Sequence, residues 1–229
     1  MRKYLMLAGG AEFGGAMAQA DRHAIALAGG NEARIRIIPT AAAPDQNHLR
    51  AGRNGVNWFR SLGSRDVAAV ALIDRTSAND STLVADLRSA NLIYLLGGFT
   101  HYLGCTLAGS RALEAIQAAQ QGGAVVAGSS AGAMVLCSHY YDPIGDQVHP
   151  GLGFVTGCVL PHHTALGTRW APRLATLIPT ITLIGIDEQT ALLNDGPPAT
   201  PWQVYGSGTV TLYPEGRGDF LIARGGPAA

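Results

Sequence analysis

The chain is poor in charge: Asp, Glu, Lys and Arg make up 14% of its 229 residues, and the two signs cancel to a formal net charge of zero. It contains no cluster of Lys and Arg, so neither nucleic acid nor an anionic membrane surface has an electrostatic reason to bind it. Cysteine is scarce as well. Cys105, Cys137 and Cys158 are odd in number, scattered and without C-x-x-C spacing, which argues against a disulfide framework or a zinc site and leaves them as small apolar residues expected in the core. No stretch approaches the roughly 20 apolar residues of a membrane span. The opening, Met1 to Ala8, superficially resembles a secretion signal with Ala16-Met17-Ala18 as its cleavage site, but its apolar part is short and glycines interrupt it. It is read as a first strand, and the protein as cytoplasmic. Residues 9–15, Gly-Gly-Ala-Glu-Phe-Gly-Gly, match neither G-x-G-x-x-G nor a Walker sequence with its Lys, so a turn or a close backbone approach is expected there rather than a nucleotide.

What the chain does have is apolar residues, at 47%, and length enough to bury a full core. One domain over 1–229 is expected, since neither an internal repeat nor a low-complexity linker is visible. Tyr4 to Ala8 is an apolar run ending at Gly9-Gly10, and a helical pattern over 15–29 closes at Gly29-Gly30. Arg34 to Thr40 reads as a second strand, 46–62 as a second helix, Asp66 to Leu72 as a weak third strand and 80–90 as a third helix. Leu92 to Leu96 is a fully apolar strand ending at Gly97-Gly98, and a helix over 108–121 closes at Gly122-Gly123. Continuous apolar strands alternating with helices indicate a mainly parallel sheet covered on both faces, a three-layer α/β/α sandwich. Further along, 139–150 reads as a loop, Phe154 to Leu160 as a strand, 168–178 as a helix and Thr182 to Ile186 as another strand. The tail, with Trp202 to Tyr205, Gly208 to Tyr213 and Asp219 to Ala223, reads as short antiparallel strands finishing the sheet edge.

The most informative stretch is Ala124 to Val135, an apolar run, then Gly128-Ser129-Ser130-Ala131-Gly132, then a second apolar run. G-x-S-x-G between a strand and a helix is the pattern of a nucleophile elbow, with Ser130 at the apex and small neighbours where larger side chains would collide. Its place at the start of a helix offers backbone N–H groups and the positive end of the helix dipole to a developing oxyanion. The Ala131 N–H and one from Gly97-Gly98 are the candidate donors, with Gly98 preferred.

A serine hydroxyl needs an adjacent base held by an acceptor. Of seven histidines, His23, His48 and His101 are expected on the surface, and His139 and His149 flank a loop. His162 and His163 follow a buried strand directly, and only one of two adjacent side chains can face Ser130. The pair lacks a third ligand at metal spacing, so no metal is expected, nor any cofactor. The orienting carboxylate is Glu188, just past a strand, or Asp146, in the connection between Ser130 and His162. Gly97-Gly98, Ser130, His162-His163 and Asp187-Glu188 each fall beyond the carboxyl end of an expected strand, the edge where open parallel sheets bind ligands.

Ala127 to Ala133, Leu96-Gly97-Gly98, Pro161-His162 and Gly185 to Leu192 resemble, in order, blocks of the serine peptidases that include cyanophycinase and aspartyl dipeptidase (peptidase E). The resemblance implies a class I glutamine amidotransferase-like (flavodoxin-like) fold with serine in place of the cysteine nucleophile, and hydrolysis of a small aspartyl or β-aspartyl peptide through an acyl-enzyme. It maps the nucleophile to Ser130 and the base to His162, with His163 in the place of the aromatic residue that usually follows. The cyanophycinase-like block favours Glu188 as the acid, and the dipeptidase-like reading a residue near Asp146. Two departures bear on the substrate: Phe99-Thr100 stands where cyanophycinases carry a polar residue after Gly97-Gly98, and Leu160-Pro161 where they carry Asp-Gln. These positions, with His163 and the carboxylate-binding candidates Arg169 and Arg173, complete the expected substrate contacts. A homodimer is left open. The competing readings are a non-catalytic amidotransferase-like binding module and a serine esterase or amidase of unrelated substrate.

Overall fold

The structure, a computed structural model, describes residues 3–196, 201–214 and 221–224. In chain order the elements are β1 (Tyr4–Ala8), α1 (Met17–Leu27), β2 (Arg34–Ile38), α2 (His48–Ser61), β3 (Asp66–Ala69), α3 (Ser81–Arg88), β4 (Leu92–Leu95), α4 (Thr100–Leu107), α5 (Arg111–Gln121), β5 (Val125–Ser129), α6 (Ala131–Leu136), β6 (His139–Asp142), β7 (Gln147–Pro150), β8 (Cys158–Leu160), α7 (Thr168–Leu177), β9 (Leu183–Ile186), β10 (Thr190–Asn194), β11 (Gln203–Gly206), β12 (Thr209–Tyr213) and β13 (Leu221–Arg224).

The main sheet runs β11-β10-β1-β5-β4-β2-β3. The pairs β1/β5, β5/β4, β4/β2 and β2/β3 are parallel, and β10 and β11 extend the sheet antiparallel beyond β1. Two-residue periodicity sends alternate side chains to opposite faces. Met6, Tyr94 and Val125 join one buried cluster with α1 and α2, and Leu5, Leu7, Ile93 and Val126 join the other with α4, α5 and α6. This is the three-layer α/β/α arrangement. Helix starts follow local chemistry: Asp80 caps α3 by accepting from the N–H groups of Thr82 and Leu83, and Ser110 caps α5 by accepting from that of Leu113. Arg36 breaks the apolar pattern of β2 and is 4% exposed. Its guanidinium is held by Asp86 at 2.8 Å and Asp66 at 2.8 Å, which is how a buried cation is tolerated. Among the described residues no helix is long and apolar enough to cross a membrane.

Several expectations are corrected. Residues 139–150 are not a loop but a hairpin in which Tyr140 opposes His149 and Asp142 opposes Gln147. Within the expected strand at Phe154 to Leu160, only Cys158–Leu160 is strand. A helix not expected from the sequence, α4, follows Gly97-Gly98 directly. The strands before His162 and Glu188 do not lie in the main sheet. β8 and β9 pair in parallel within a second sheet of order β13-β12-β9-β8, so the tail is divided: β11 edges the main sheet, while β12 and β13 belong to the second. The second sheet packs its Cys158, Leu160 and Ile186 into the same buried cluster as α4 and α6. Cys105 is exposed, unlike buried Cys137 and Cys158. The strand expected at Asp219 to Ala223 is described only over residues 221–224.

Phe59 ties α2 to the sheet: it is fully buried, with ring centroids 6.2 Å from Phe13 and 5.6 Å from Tyr94. Phe59→Ala is expected to cost about 3–5 kcal/mol, read as a lower urea midpoint with the m-value unchanged.

Candidate active site

β5 delivers Ser130 at its carboxyl end, and the residue adopts φ +49° and ψ −114°, outside the regions a non-glycine residue prefers. The two glycines around it make the turn possible. A Cβ on Gly128 would lie 2.5 Å from the Gly132 carbonyl carbon, and one on Gly132 would lie 2.2 Å from the Leu95 carbonyl oxygen, so strand, helix and the neighbouring β4 could not close with larger residues. Ser129 turns the other way and donates its hydroxyl to Glu12 Oε2 at 2.8 Å.

His162 approaches from the second sheet. It sits in the left-handed region at φ +47°, where its carbonyl accepts from the N–H groups of Ala165 and Leu166 at 2.9 and 2.7 Å. Its Nε2 is 3.0 Å from Ser130 Oγ, and its Nδ1 is 2.8 Å from Glu188 Oε1. With Nδ1–H donating to Glu188, Nε2 is left as the acceptor for the serine hydroxyl, the tautomer in which it can take that proton. Backbone bonds hold these parts in place. The N–H groups of Ser130, His162 and Gln189 donate to the carbonyls of Ala8, Gly9 and Gly10 at 3.0, 2.7 and 3.0 Å. Thus residues 9–15 begin with the close approach expected of them: a Cβ on Gly10 would lie 2.2 Å from His162 Cε1.

The expected partners divide clearly. Asp146 is engaged elsewhere, by the Tyr141 hydroxyl at 2.6 Å and Arg173 at 2.6 Å, because the hairpin carries it toward α7; the carboxylate on the imidazole is that of Glu188. Asp187, beside it, accepts from the Thr209 hydroxyl at 2.7 Å and from Thr164. Burial alone would raise the Asp187 pKa, but the hydrogen bonds from Thr164 and Thr209 outweigh it and hold the carboxyl below its ordinary range. His163 is 6% exposed and its Nε2 is 2.9 Å from the Tyr213 hydroxyl. Burial lowers its pKa despite nearby Asp187. It packs over Gly185, where a Cβ would lie 2.3 Å from the ring, so its expected contact with substrate is replaced by a place in the core. Thr100 is likewise buried, its hydroxyl 3.7 Å from Met134 Sδ.

Beside Ser130 opens a cleft of about 800 Å³ whose walls include Glu12, Phe13, Arg50, Asn54, Trp58 and Gly98. Gly97 also lines it, and a Cβ there would lie 3.2 Å from that of Ser130. No bond from the Gly98 or Ala131 N–H to a backbone acceptor is found among the described residues. Phe99, Arg169 and Arg173 are not among the cleft's lining residues: Phe99 precedes α4 and gives its N–H to the Ala41 carbonyl at 2.8 Å, while both arginines are exposed on α7. The wall missed in the sequence is that of α2. Its signal was present as Asn47, Arg50, Asn54 and Trp58, spaced to share one helical stripe. Beneath that wall, Trp58 Nε1–H donates to Asp21 Oδ2 at 2.7 Å. Burial raises the Asp21 pKa to about 7 against the lowering effect of this bond, with Glu12 adding to the rise.

A serine on a strained strand-to-helix turn, an imidazole on its hydroxyl and a carboxylate on the far ring nitrogen define the geometry of a serine hydrolase site within an α/β/α fold. Peptidase family S51 matches residues 5–200, and the chain belongs to that family. Cyanophycinase from Nostoc sp. (strain PCC 7120) is 28% identical over 200 residues, covering 81% of this chain and 64% of its own length. Cyanophycinase from Synechococcus elongatus is 29% identical over 202 residues, covering 81% and 60%. The chain therefore spans less than two thirds of the length of these relatives. The crystal structure of a peptidase from an acI-B1 Actinobacterium superposes with a TM-score of 0.82 at 30% identity, covering 97% of this chain and 94% of that one. A Listeria monocytogenes protein assigned to peptidase E shares the fold at a TM-score of 0.62 and 18% identity, covering 97% and 98%.

Two tests follow from this geometry. Gly10→Ala should press the added methyl group onto the His162 ring, and if the chain turns over substrate, kcat/KM should fall by about 10²-fold with little change in far-ultraviolet circular dichroism. Asp21 keeps its proton in the folded chain up to about pH 7, whereas the unfolded chain releases it near 3.8. Folding stability should therefore decline as pH rises through that window, and Asp21→Asn should flatten the decline in urea titrations at pH 4 through 7.

Proposed function

We propose that the chain is a serine peptidase that cleaves a small aspartyl or β-aspartyl peptide through an acyl-enzyme. The observation that carries the reading is the continuous hydrogen-bonded line from Ser130 Oγ through both nitrogens of His162 to Glu188. Ser130 Oγ attacks the carbonyl carbon as its proton passes to His162 Nε2, and Glu188 stabilises the imidazolium that forms. The Gly98 and Ala131 N–H groups receive the oxyanion. When the tetrahedral centre collapses, the C–N bond breaks and the leaving amine takes the proton from Nε2. Water then attacks the ester with His162 again as base, releasing the acid and restoring the serine.

Membership in the peptidase family supports peptide chemistry, and the cyanophycinase relatives support an aspartyl or β-aspartyl bond. Arg50 on the cleft wall supplies a cation for an acidic side chain. The apolar Phe99 and buried Thr100 after Gly97-Gly98 favour a short peptide over the cyanophycin polymer.

Ser130→Ala should abolish both turnover of Asp-X and β-aspartyl dipeptides and covalent labelling by a fluorophosphonate. Glu188→Gln should lower kcat by about 10³–10⁴-fold, whereas Asp146→Asn should stay close to wild type. Activity retained by Ser130→Ala, or turnover of simple esters without turnover of peptides, refutes the reading.

A further inference from the structure

The described residues contain one group of three His, Cys, Asp or Glu side chains close enough to share a metal ion, and it lies where α4 meets the β6–β7 hairpin. The hairpin register sets Tyr140 opposite His149, and directly opposed residues of an antiparallel pair project to the same face. Asp142, two residues beyond Tyr140, projects there as well. From α4, His101 reaches the same face, its ring stacked on that of His149 with centroids 4.2 Å apart. One ligand atom each from His101, Asp142 and His149 lie within 4.8 Å of one another. Ligands about 2.0–2.1 Å from a tetrahedral ion sit a little over 3 Å apart, so rotamer-scale movement would close the set.

The surroundings suit ligation. Asp142 is 7% exposed, and its two oxygens accept from the Ile144 and Gly145 N–H groups at 3.1 and 3.0 Å. These bonds orient the carboxylate while leaving each oxygen a further lone pair. His101 Nδ1 is 3.0 Å from the Tyr140 hydroxyl. If Nδ1–H donates to that oxygen, Nε2, which lies 3.4 Å from Cys105 Sγ, is the nitrogen a metal would take in place of that thiol contact, with the Tyr140 bond as the outer-sphere partner that fixes a ligating imidazole.

We propose that His101, Asp142 and His149 form a divalent-metal site separate from the serine site, with a nitrogen and oxygen donor set suited to zinc. A bound ion would cross-link α4, whose first turn follows Gly97-Gly98, to the hairpin that follows α6. The site adds to the sequence reading, in which no metal was expected.

The test uses the full chain, stripped with a chelator and titrated with Co²⁺. Expected are one Co²⁺ per chain with the visible bands of tetrahedral cobalt, displacement by Zn²⁺, and a rise in Tm with Zn²⁺ concentration. His149→Gln and the His101→Gln/His149→Gln pair should each weaken binding by about 100-fold or more. Should the pair fail to fold, the wild type still decides: in ¹⁵N spectra of the ring nitrogens, Zn²⁺ should shift His101 and His149 and leave His162 in place. Absence of saturable binding, unchanged affinity in the folded pair, or shifts confined to His162 and His163 would overturn the proposal. None of these readouts depends on peptidase activity.

Discussion

Three successive carbonyls at the end of β1 hold the site together. Those of Ala8, Gly9 and Gly10 accept from the N–H groups of Ser130, His162 and Gln189, residues contributed by the main sheet and by the strand ends of the second. All three donors have positive φ, at +49°, +47° and +50°, a conformation that costs of order 1–3 kcal/mol at each non-glycine residue and persists only where its surroundings over-determine it. The carbonyl ladder is that over-determination. It works only with backbone in contact with backbone: a Cβ on Gly9 would lie 2.1 Å from the Asp187 carbonyl oxygen. The same two glycines that resembled a fragment of a nucleotide loop thus set the separation between hydroxyl and imidazole.

The elbow was legible because local and global preferences agree there. An apolar strand, small residues and a helix-forming run are contiguous, and the strain falls on one residue with a glycine two places to either side, at the crowded positions. His162 and Glu188 were legible as residues beyond strand ends. Their sheet was not, because β8 and β9 are apolar at every position but Gly185, and a continuous apolar strand reads alike whichever sheet it joins. The hairpin at 139–150 was hidden by the turn residues Asp142, Pro143, Gly145 and Asp146, which dominate strands only four residues long. Helix α4 was hidden by Gly104, present because a Cβ there would lie 2.5 Å from the Tyr140 hydroxyl. In each case a long-range contact chose the residue and masked the local signal. Asp146 shows the same limit: its place in sequence between Ser130 and His162 is no guide to its place in space, which the hairpin decides.

The adjacent carboxylates at 187 and 188 show how one turn serves two ends. Asp187 is 16% exposed and its oxygens are taken up by Thr164 and Thr209. It is a carboxylate kept ionised by hydrogen bonds, and what it does with them is tie the start of the turn after His162 to β12. Glu188 is 58% exposed, and among the described residues its one ion-pair partner is the His162 imidazole. An exposed carboxylate on a free loop would sample many positions and orient a ring poorly, since side-chain freedom offsets so weak an attraction in water. Here Asp187 on one side and the Gln189 N–H on the Gly10 carbonyl on the other restrict the backbone that carries Glu188. The proposed relay therefore needs little burial of its acid, because the neighbours supply the order.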